Sequence, residues 1–227
     1  MCYAHIMLLD FHCHFPSPDA LVCTAEPSSS ASALPAKSPS CLMRFEGLLP
    51  DRWTEQKQEQ LTTLLLTDSS IHMGEIGLDK RFINAVPMQK QADILQSELS
   101  FAFTHGRCVS LHCVHATGLM LEILSRLSYR PFSVLWHGFT GSAETAARLQ
   151  ALGVIISIGS RFTGSISDIV KSNPFTVPET DYEGTDADEH QELLRAQYNR
   201  FSTELGIPMS ELESGCRAVF DTFSTES

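Results

Sequence analysis

The chain has 227 residues, a hydrophobic content of 43% and a formal net charge of −11 at pH 7. This length predicts one large hydrophobic core or two small ones, and the acidity excludes a broadly basic nucleic-acid-binding surface. It does not exclude an enzyme that holds a phosphodiester through metal ions, because the ions then supply the positive charge.

The composition also bears on the cellular compartment. No apolar stretch approaches the roughly 18 residues that indicate a membrane span, and the N-terminus lacks the basic segment of a signal peptide. Seven cysteines without regular spacing indicate reduced thiols rather than a disulfide framework. We therefore expect a cytoplasmic monomer with no membrane association, and the sequence identifies no protein partner.

The first predicted element is a buried strand over residues 5–11, which is followed by His12 and His14. In an extended backbone, residues i and i+2 point to the same side, so both imidazoles can face one point. Two neutral imidazoles at the end of a buried strand suit a divalent metal ion. From about residue 16 to residue 40 the composition shifts to Ser, Ala and Pro, which predicts a surface loop or a partly disordered insert.

The rest of the chain alternates between predicted strands and predicted helices. The strands are expected at residues 41–45, 71–79, 108–112, 132–137, 154–158 and 175–181, the last being doubtful because Pro178 cannot donate a ladder hydrogen bond. The helices are expected at residues 54–66, 88–105, 119–127, from Ser142 towards residue 152, and at residues 189–205 and 210–223, with Thr54 and Ser142 as N-caps.

This alternation predicts a single α/β domain over residues 1–227 with a parallel sheet. The pattern gives six or seven strands, whereas a (β/α)8 barrel has eight, and the missing strand would lie in the Ser/Ala/Pro stretch. The predicted fold is therefore a TIM-barrel-like (β/α)8 fold that is incomplete or distorted near strand 2. An open doubly wound sheet is the alternative, although the sequence contains no GxGxxG or GxxxxGK phosphate loop.

Polar side chains follow the apolar strands at their carboxyl ends, which converge on one face of a barrel. Taken singly, His112 is more typical of a buried structural histidine, and Asp181 of a turn or N-cap. As a set, they are sufficient for two coordination shells with one bridging carboxylate. The residues are His12, His14, Glu75, His112, His137 and Asp181.

Two divalent ions about 4 Å apart can polarise a phosphoryl oxygen, deliver a hydroxide and stabilise the leaving oxygen. Imidazole-rich ligation favours Zn²⁺ or Mn²⁺, and the carboxylates also permit Mg²⁺. Glu75 and Asp181 are the candidate catalytic residues, with Asp181 as the general base if it touches both an ion and the attacking water. Asp10 and Asp79 are expected to orient the ligands or to form turns.

Five segments of the chain resemble, in order, the motifs of the TatD family of metal-dependent deoxyribonucleases, which have a TIM-barrel fold. They are residues 10–14 (Asp-Phe-His-Cys-His), 74–79 (Gly-Glu-Ile-Gly-Leu-Asp), 111–112 (Leu-His), 137–142 (His-Gly-Phe-Thr-Gly-Ser) and 179–181 (Glu-Thr-Asp). The resemblance implies that His12, His14 and Asp181 hold one metal ion, that His112 and His137 hold the other, and that Glu75 bridges them. It also implies hydrolysis of DNA phosphodiester bonds, in repair or in DNA clearance.

The chain departs from the family pattern at three places, one of which is Pro178, where an apolar strand residue is expected before Asp181. It is shorter between His14 and Glu75, where the Ser/Ala/Pro stretch replaces a strand–helix unit. After His112 the family has an arginine within a His-x-Arg-x-Ala pattern, whereas this chain has Val114 and His115. Loss of that arginine removes a phosphate contact or a contact that orients a ligand, and His115 is the candidate to replace part of it.

Three functions are compatible with these residues. The first is a deoxyribonuclease that cleaves DNA with a metal-activated water, so that DNA is the expected partner. The second is a metal hydrolase of a small amide, ester or phosphoester, and the third is a catalytically degenerate family member. Cleavage assays separate the first two, and metal analysis separates both from the third.

Overall fold

Eight parallel strands form one sheet in the order of the chain. The computed structural model describes residues 8–24 and 41–225. The strands are β1 (Asp10–Cys13), β2 (Ala20–Thr24), β3 (Met43–Glu46), β4 (Ile71–Asp79), β5 (Val109–Val114), β6 (Val134–Trp136), β7 (Val154–Ile158) and β8 (Thr176–Pro178).

The sheet is a nearly closed barrel, because the segment after β8 returns to β1. The backbone N–H of Asp181 donates to the carbonyl of His12 (2.9 Å), and that of His14 donates to the carbonyl of Tyr182 (2.8 Å). Each strand between them pairs in parallel with its successor. The predicted TIM-barrel-like fold is therefore confirmed, and the alternative of an open doubly wound sheet is wrong.

Helices follow most of the strands. They are α1 (Glu55–Thr67), α2 (Met88–Thr104), α3 (Thr117–Arg126), α4 (Ala143–Ala151), α5 (Ile166–Ser172), α6 (Ala187–Leu205) and α7 (Met209–Ser224), with a 3₁₀ turn at Lys80–Phe82. Both predicted N-caps are confirmed, because the side chains of Thr54 and Ser142 accept from the backbone N–H three residues on. The sequence reading missed α5, whose length of seven residues is too short for a helical period to be detected.

The predicted loop over residues 16–40 is partly wrong, because β2 lies within it. The side chains of Ala20, Leu21, Val22 and Cys23 are buried, and β2 pairs with β3 in regular register. Four buried residues in a stretch rich in Ser and Pro are too few to give a detectable hydrophobic period, so the sequence pattern did not predict this strand. Residues 25–40 of the predicted loop, and residues 5–7 of the predicted first strand, lie outside the described residues.

The expected distortion near strand 2 lies in the connection and the register rather than in the number of strands. Residues 14–19 join β1 to β2 without a helix. The β1–β2 pairing also shifts register between Asp10 and Cys13. The barrel thus has eight strands, but the first two are joined more directly than the regular βαβ pattern requires.

The C-terminal helices cover the beginning of the barrel. The hydroxyl of Tyr198 on α6 accepts from the backbone N–H of Leu9 and donates to its carbonyl, both at 3.0 Å in the buried interior. The ring of Phe223 on α7 stacks on Phe45 of β3, with centroids 6.1 Å apart. Both helices therefore contact segments that lie far away in the sequence, at Leu9 just before β1 and at Phe45 within β3.

Two compositional predictions can be compared with the structure. Within the described residues, no helix is long and apolar enough to cross a membrane. The six described cysteines are free thiols, as expected for a reduced chain. The cytoplasmic location and the assignment of the whole chain to one domain stay predictions.

Candidate metal centre

The six predicted ligand residues do not all lie at strand ends. Glu75 is in the middle of β4, where the pairing with β5 shifts register between Met73 and Ile76. His12 and His112 lie inside β1 and β5, whereas His137 directly follows β6 and Asp181 is three residues past β8. The expectation of strand-end positions is thus wrong for Glu75, His12 and His112, because the observed strands extend past these residues.

A glycine allows β4 and β5 to approach closely beside Glu75. A Cβ atom on Gly77 would lie 1.8 Å from the carbonyl oxygen of His112. Any other residue would push the two backbones apart. Gly77 therefore fixes the separation of the strands that carry Glu75 and His112.

The carboxylate of Glu75 is shared between two groups of side chains, which we call the first cluster (His12, His14, Glu75, Asp181) and the second cluster (Glu75, His112, His137). Its Oε1 lies 2.8 Å from Nε2 of His12 and 3.0 Å from Nε2 of His14. Its Oε2 lies 3.4 Å from Nδ1 of His112 and 3.2 Å from Nε2 of His137. All six predicted ligand residues thus converge, with one oxygen of Glu75 in each cluster.

Asp181 also divides its two oxygens. Oδ1 lies 3.7 Å from Nε2 of His12 and 3.6 Å from Nε2 of His14, so it borders the first cluster. Oδ2 forms an ion pair with the guanidinium of Arg161. The backbone of Asp181 adopts a φ of 54°, in the left-handed region that Asp tolerates better than most residues.

Hydrogen bonds outside the clusters orient two of the imidazoles. Nδ1 of His14 donates to the carbonyl of Cys23 (2.9 Å), so the lone pair of the neutral ring is on Nε2, which faces the first cluster. Nε2 of His112 donates to Oδ2 of Asp79 (3.1 Å), so the lone pair of the neutral ring is on Nδ1, which faces the second cluster and lies 3.2 Å from Nε2 of His137. These contacts present ring nitrogens in the form that a metal ion binds.

Asp10 and Asp79 both contact ligand residues. Asp10 accepts from the backbone N–H of His12 (3.2 Å) and of Thr180 (3.0 Å), and from Nε2 of His190 (2.8 Å). It thereby connects β1 to the residue before Asp181. His115 is exposed with a φ of 55°, and among the described residues it belongs to neither cluster.

The electrostatics of the clusters favour negative carboxylates beside positive charge. Burial would raise the pKa of Glu75, but the imidazoles of His137 and His12 outweigh it and hold that pKa well below its usual range. Burial likewise opposes ionisation of Asp181, and contacts led by His14 lower its pKa to about 2. Burial would lower the pKa of His14, yet hydrogen bonds to Asp181 and Glu75 raise it to about 10. Two ionised carboxylates among four imidazoles form a donor set that fits divalent cations.

Several residues of this region escaped the sequence reading. Oγ of Ser110 lies 3.2 Å from Nδ1 of His12, and its position two residues before His112 was a usable signal, because both share a strand face. Glu179 accepts from the backbone N–H of Gly138 (2.8 Å) and from Oγ of Ser157 (2.6 Å). His190 comes from α6, and no local pattern points to its role.

A groove adjoins the first cluster. It consists of a cavity of about 90 Å³, lined by residues 138–140, 159–162 and 179–181, and a second cavity of about 340 Å³, lined mainly by residues 140–143 and 161–165. The two cavities share Thr140, Arg161 and Phe162 in their lining. We call them together the groove; it begins at Asp181 and runs over the loops after β6 and β7.

Comparison with known families agrees with this geometry. Residues 19–222 match the profile of the family described as TatD related DNase. The chain therefore belongs to the TatD-related DNase family.

Two of the curated relatives are named as nucleases. The chain is 27% identical over 147 residues to the 3'-5' ssDNA/RNA exonuclease TatD of Yersinia pseudotuberculosis, which covers 63% of this chain and 55% of that protein. It is 26% identical over 107 residues to the human 3'-5' RNA nuclease TATDN2, which covers 47% of this chain and 14% of that protein. The chain thus matches about half of the first relative's length and a small part of the second.

A solved structure shares the fold over nearly its full length. The TatD homologue YjjV from Escherichia coli K12 superposes with a TM-score of 0.80 and covers 96% of this chain and 98% of that chain. The two sequences are 22% identical. This similarity supports the nearly closed barrel independently of the sequence motifs.

Proposed function

We propose that the chain is a metal-dependent hydrolase that cleaves DNA phosphodiester bonds with a metal-activated water. The observation that carries this proposal is the shared carboxylate of Glu75, which has one oxygen in each of two histidine-containing clusters. A carboxylate between two sets of ligands is the arrangement expected for a two-metal site. The names of the relatives, which act on single-stranded DNA and RNA, support a nucleic-acid substrate.

In this proposal His12, His14 and Asp181 would hold one divalent ion, His112 and His137 would hold the other, and Glu75 would be shared by the two sets of ligands. When bound, the ions supply a water of lowered pKa and positive charge for the phosphoryl oxygens. Zn²⁺ or Mn²⁺ suits the imidazole-rich set best, and Mg²⁺ is the remaining candidate.

The chain's own residues supply position and proton transfer. Asp181 is the proposed proton acceptor, because Oδ1 borders the first cluster while its side chain also lines the groove. Its lowered pKa keeps it ionised at neutral pH. Asp79 and the carbonyl of Cys23 hold His112 and His14 in orientation, so that the ligand atoms stay in place during turnover.

A hydrolase of small phosphoesters is the second candidate, and the charge of the groove favours it. Arg161 is the only Lys or Arg among the residues that line the two described cavities, and the whole chain has a net charge of −11. A long polyanion gains little from such a surface, whereas one or two phosphates can be held locally. A catalytically degenerate protein is the third candidate, which the convergence of all six ligand residues disfavours.

The test is cleavage of end-labelled single-stranded DNA by protein reconstituted with Mg²⁺, Mn²⁺ or Zn²⁺. We expect a metal-dependent ladder that Glu75→Gln abolishes. Glu122→Gln is the matched control, because Glu122 is half exposed on α3 and pairs with Arg126. Intact DNA after incubation with folded protein that carries two ions per chain would contradict the proposal, and a panel of small phosphoesters, esters and amides would then identify the substrate class.

A further inference from the structure

One arginine connects the first cluster to the groove. Arg161 lies just past β7, and its guanidinium pairs with Oδ2 of Asp181, whose Oδ1 faces His12 and His14. Its side chain is nevertheless 71% exposed, and it lines both cavities of the groove. Arg161 is therefore accessible to a ligand while it touches a residue of the metal centre.

The guanidinium suits a phosphate at this point. It offers five N–H donors in a planar fork, of which Asp181 engages only one edge. The other charged residues that line the groove, Asp168, Glu179 and Asp181, are acidic. An anionic substrate thus finds one attractive charge along this path, directly beside the proposed hydrolytic centre.

The backbone around Arg161 is held firmly. The next residue, Phe162, is 6% exposed, and its carbonyl accepts from Nη2 of Arg200 on α6 (2.8 Å). The guanidinium of Arg200 also lies over the Phe162 ring, 5.9 Å from its centroid. A side chain that projects from an anchored backbone loses less entropy when it binds a ligand than one on a loose loop does.

We propose that Arg161 is a substrate-positioning residue that binds a phosphate of the nucleic-acid strand in the groove. This inference rests on the proposed function and names the group that places the phosphodiester against the metal centre. Since Asp181 contacts both Arg161 and the first cluster, a phosphate held by Arg161 lies next to the reacting region. Arg161 also compensates locally for the negative charge of the chain.

The experiment compares Arg161→Ala and Arg161→Lys with wild type. Arg126→Ala is the matched control, because Arg126 is 68% exposed on α3 and pairs with a glutamate. KM and kcat are measured on single-stranded DNA over a range of KCl concentrations. Binding of a fluorescein-labelled single-stranded oligonucleotide is measured by anisotropy in the Glu75→Gln background, so that affinity is read without turnover.

We expect Arg161→Ala to raise KM and Kd roughly 10–100-fold, the scale of a hydrogen bond to a charged group, with a smaller change in kcat. The slope of log Kd against log salt concentration should fall by about one, since one phosphate contact is lost. Arg161→Lys should keep the salt slope but bind more weakly, because lysine lacks the fork. Arg126→Ala should match wild type.

Wild-type Kd and salt slope in Arg161→Ala would overturn the inference, and so would a loss of kcat alone, which would show that Arg161 acts only on Asp181. Absence of oligonucleotide binding by the Glu75→Gln protein that carries the native Arg161 would overturn it as well. If wild type binds the oligonucleotide through Arg161 but does not cleave DNA, the proposed nuclease activity is refuted and the inference is supported. If DNA is cleaved and neither KM nor Kd depends on Arg161, the nuclease activity is supported and the inference is refuted.

Discussion

The first three strands and the last five contribute to the same site but are supported differently. Among the described residues, the connection from β1 to β2 has no helix, whereas helices separate all the strands from β3 to β8. Yet β1 supplies His12, and His14 follows it, so half of the imidazoles come from the less regular region. A complete α/β repeat is therefore not required for a strand to carry residues of the candidate metal centre.

The first region takes its support from the end of the chain. Tyr198 on α6 binds the backbone of Leu9, His190 on α6 binds Asp10, and Phe223 on α7 stacks on Phe45. Two helices that follow the last strand thus replace the local helix that is missing between β1 and β2. The comparison indicates that the first region depends on long-range packing, whereas the second has its own βα units in addition to contacts with the C-terminal helices, such as that of Arg200 with Phe162.

The largest expected effect comes from removing one histidine in each region. His12→Ala and His112→Ala should each reduce metal-dependent cleavage on the order of 10³-fold or more, because each cluster loses a ligand. Initial rates and the metal-to-protein ratio are measured together, with exposed His105→Ala as the control. If either variant keeps a tenth of the wild-type rate, the region that it represents is dispensable for catalysis.

Phe45→Ala tests whether the first region is part of the cooperative fold. Phe45 is fully buried, so the substitution should lower the free energy of unfolding by about 3–5 kcal/mol. Urea denaturation monitored by circular dichroism gives this value, and Leu111→Ala, equally buried in β5, should cost about 2–5 kcal/mol. Two separate transitions in Phe45→Ala would show that the regions unfold independently.

Substitutions of Asp10 and Asp79 test how much the side chains that orient the candidate ligands matter in each region. Asp79→Asn should lower the rate of cleavage about 10–100-fold, because His112 loses the carboxylate that orients its ring. Asp10→Asn should have at least this effect, because Asp10 fixes both His12 and the segment before Asp181. Steady-state rates of the two variants are compared with that of Asp93→Asn, a substitution at an exposed position. Wild-type rates in both Asp10→Asn and Asp79→Asn would show that neither carboxylate is needed to orient the candidate ligands.

The smallest expected effect is on the pH dependence of stability, and it concerns His72. This residue of β4 lies opposite Phe45 of β3 in the strand pairing, at the border of the two regions. Burial, followed by the charges of Arg107 and Arg130, lowers the pKa of His72 to about 4, and its Nδ1 accepts from the backbone N–H of Cys108 (3.1 Å). In the unfolded chain His72 binds a proton near pH 6.5. The contribution of neutral His72 to the free energy of unfolding is therefore fully present above that pH and is lost as the pH falls towards 4.

His72→Asn should remove this contribution, since Asn retains an acceptor but does not titrate. The difference in unfolding free energy between pH 7 and pH 4.5 should shrink by about 1–2 kcal/mol relative to wild type. His105→Asn, at an exposed position, serves as the control. If the difference in unfolding free energy between the two pH values is the same in His72→Asn as in wild type, the pKa of His72 is not lowered in the folded protein.

The sequence predicted the fold best where an apolar run has clear boundaries. The ranges predicted for β4 and β7 agree with Ile71–Asp79 and Val154–Ile158. β7 is a mostly apolar run between two glycines, and β4 begins after the polar Ser69-Ser70 pair and ends at Asp79. The sequence did not predict β2 or α5, because these elements have too few residues to show a detectable hydrophobic period. The helix-free connection after β1 also lies beyond what periodicity can report.

For the candidate site, residue types and order predicted which side chains converge, but not how they are held. Strand positions brought His12, Glu75 and His112 to one face, as expected from parallel strands. The contacts of Arg161 with Asp181 and of His190 with Asp10 span 20 and 180 residues of sequence. No local pattern encodes contacts of that range, so only the folded chain reveals them.

In the proposed two-ion site, the division of Glu75 between two clusters would make the occupancies of the clusters interdependent. An ion in the first cluster would draw on the charge of the same carboxylate that serves the second, so the affinity of each cluster would depend on whether the other is filled. By thermodynamic reciprocity, the factor by which the first ion changes the binding of the second equals the factor in the opposite direction. A calorimetric titration of this chain with Mn²⁺ should therefore require a coupling constant in addition to the two intrinsic affinities.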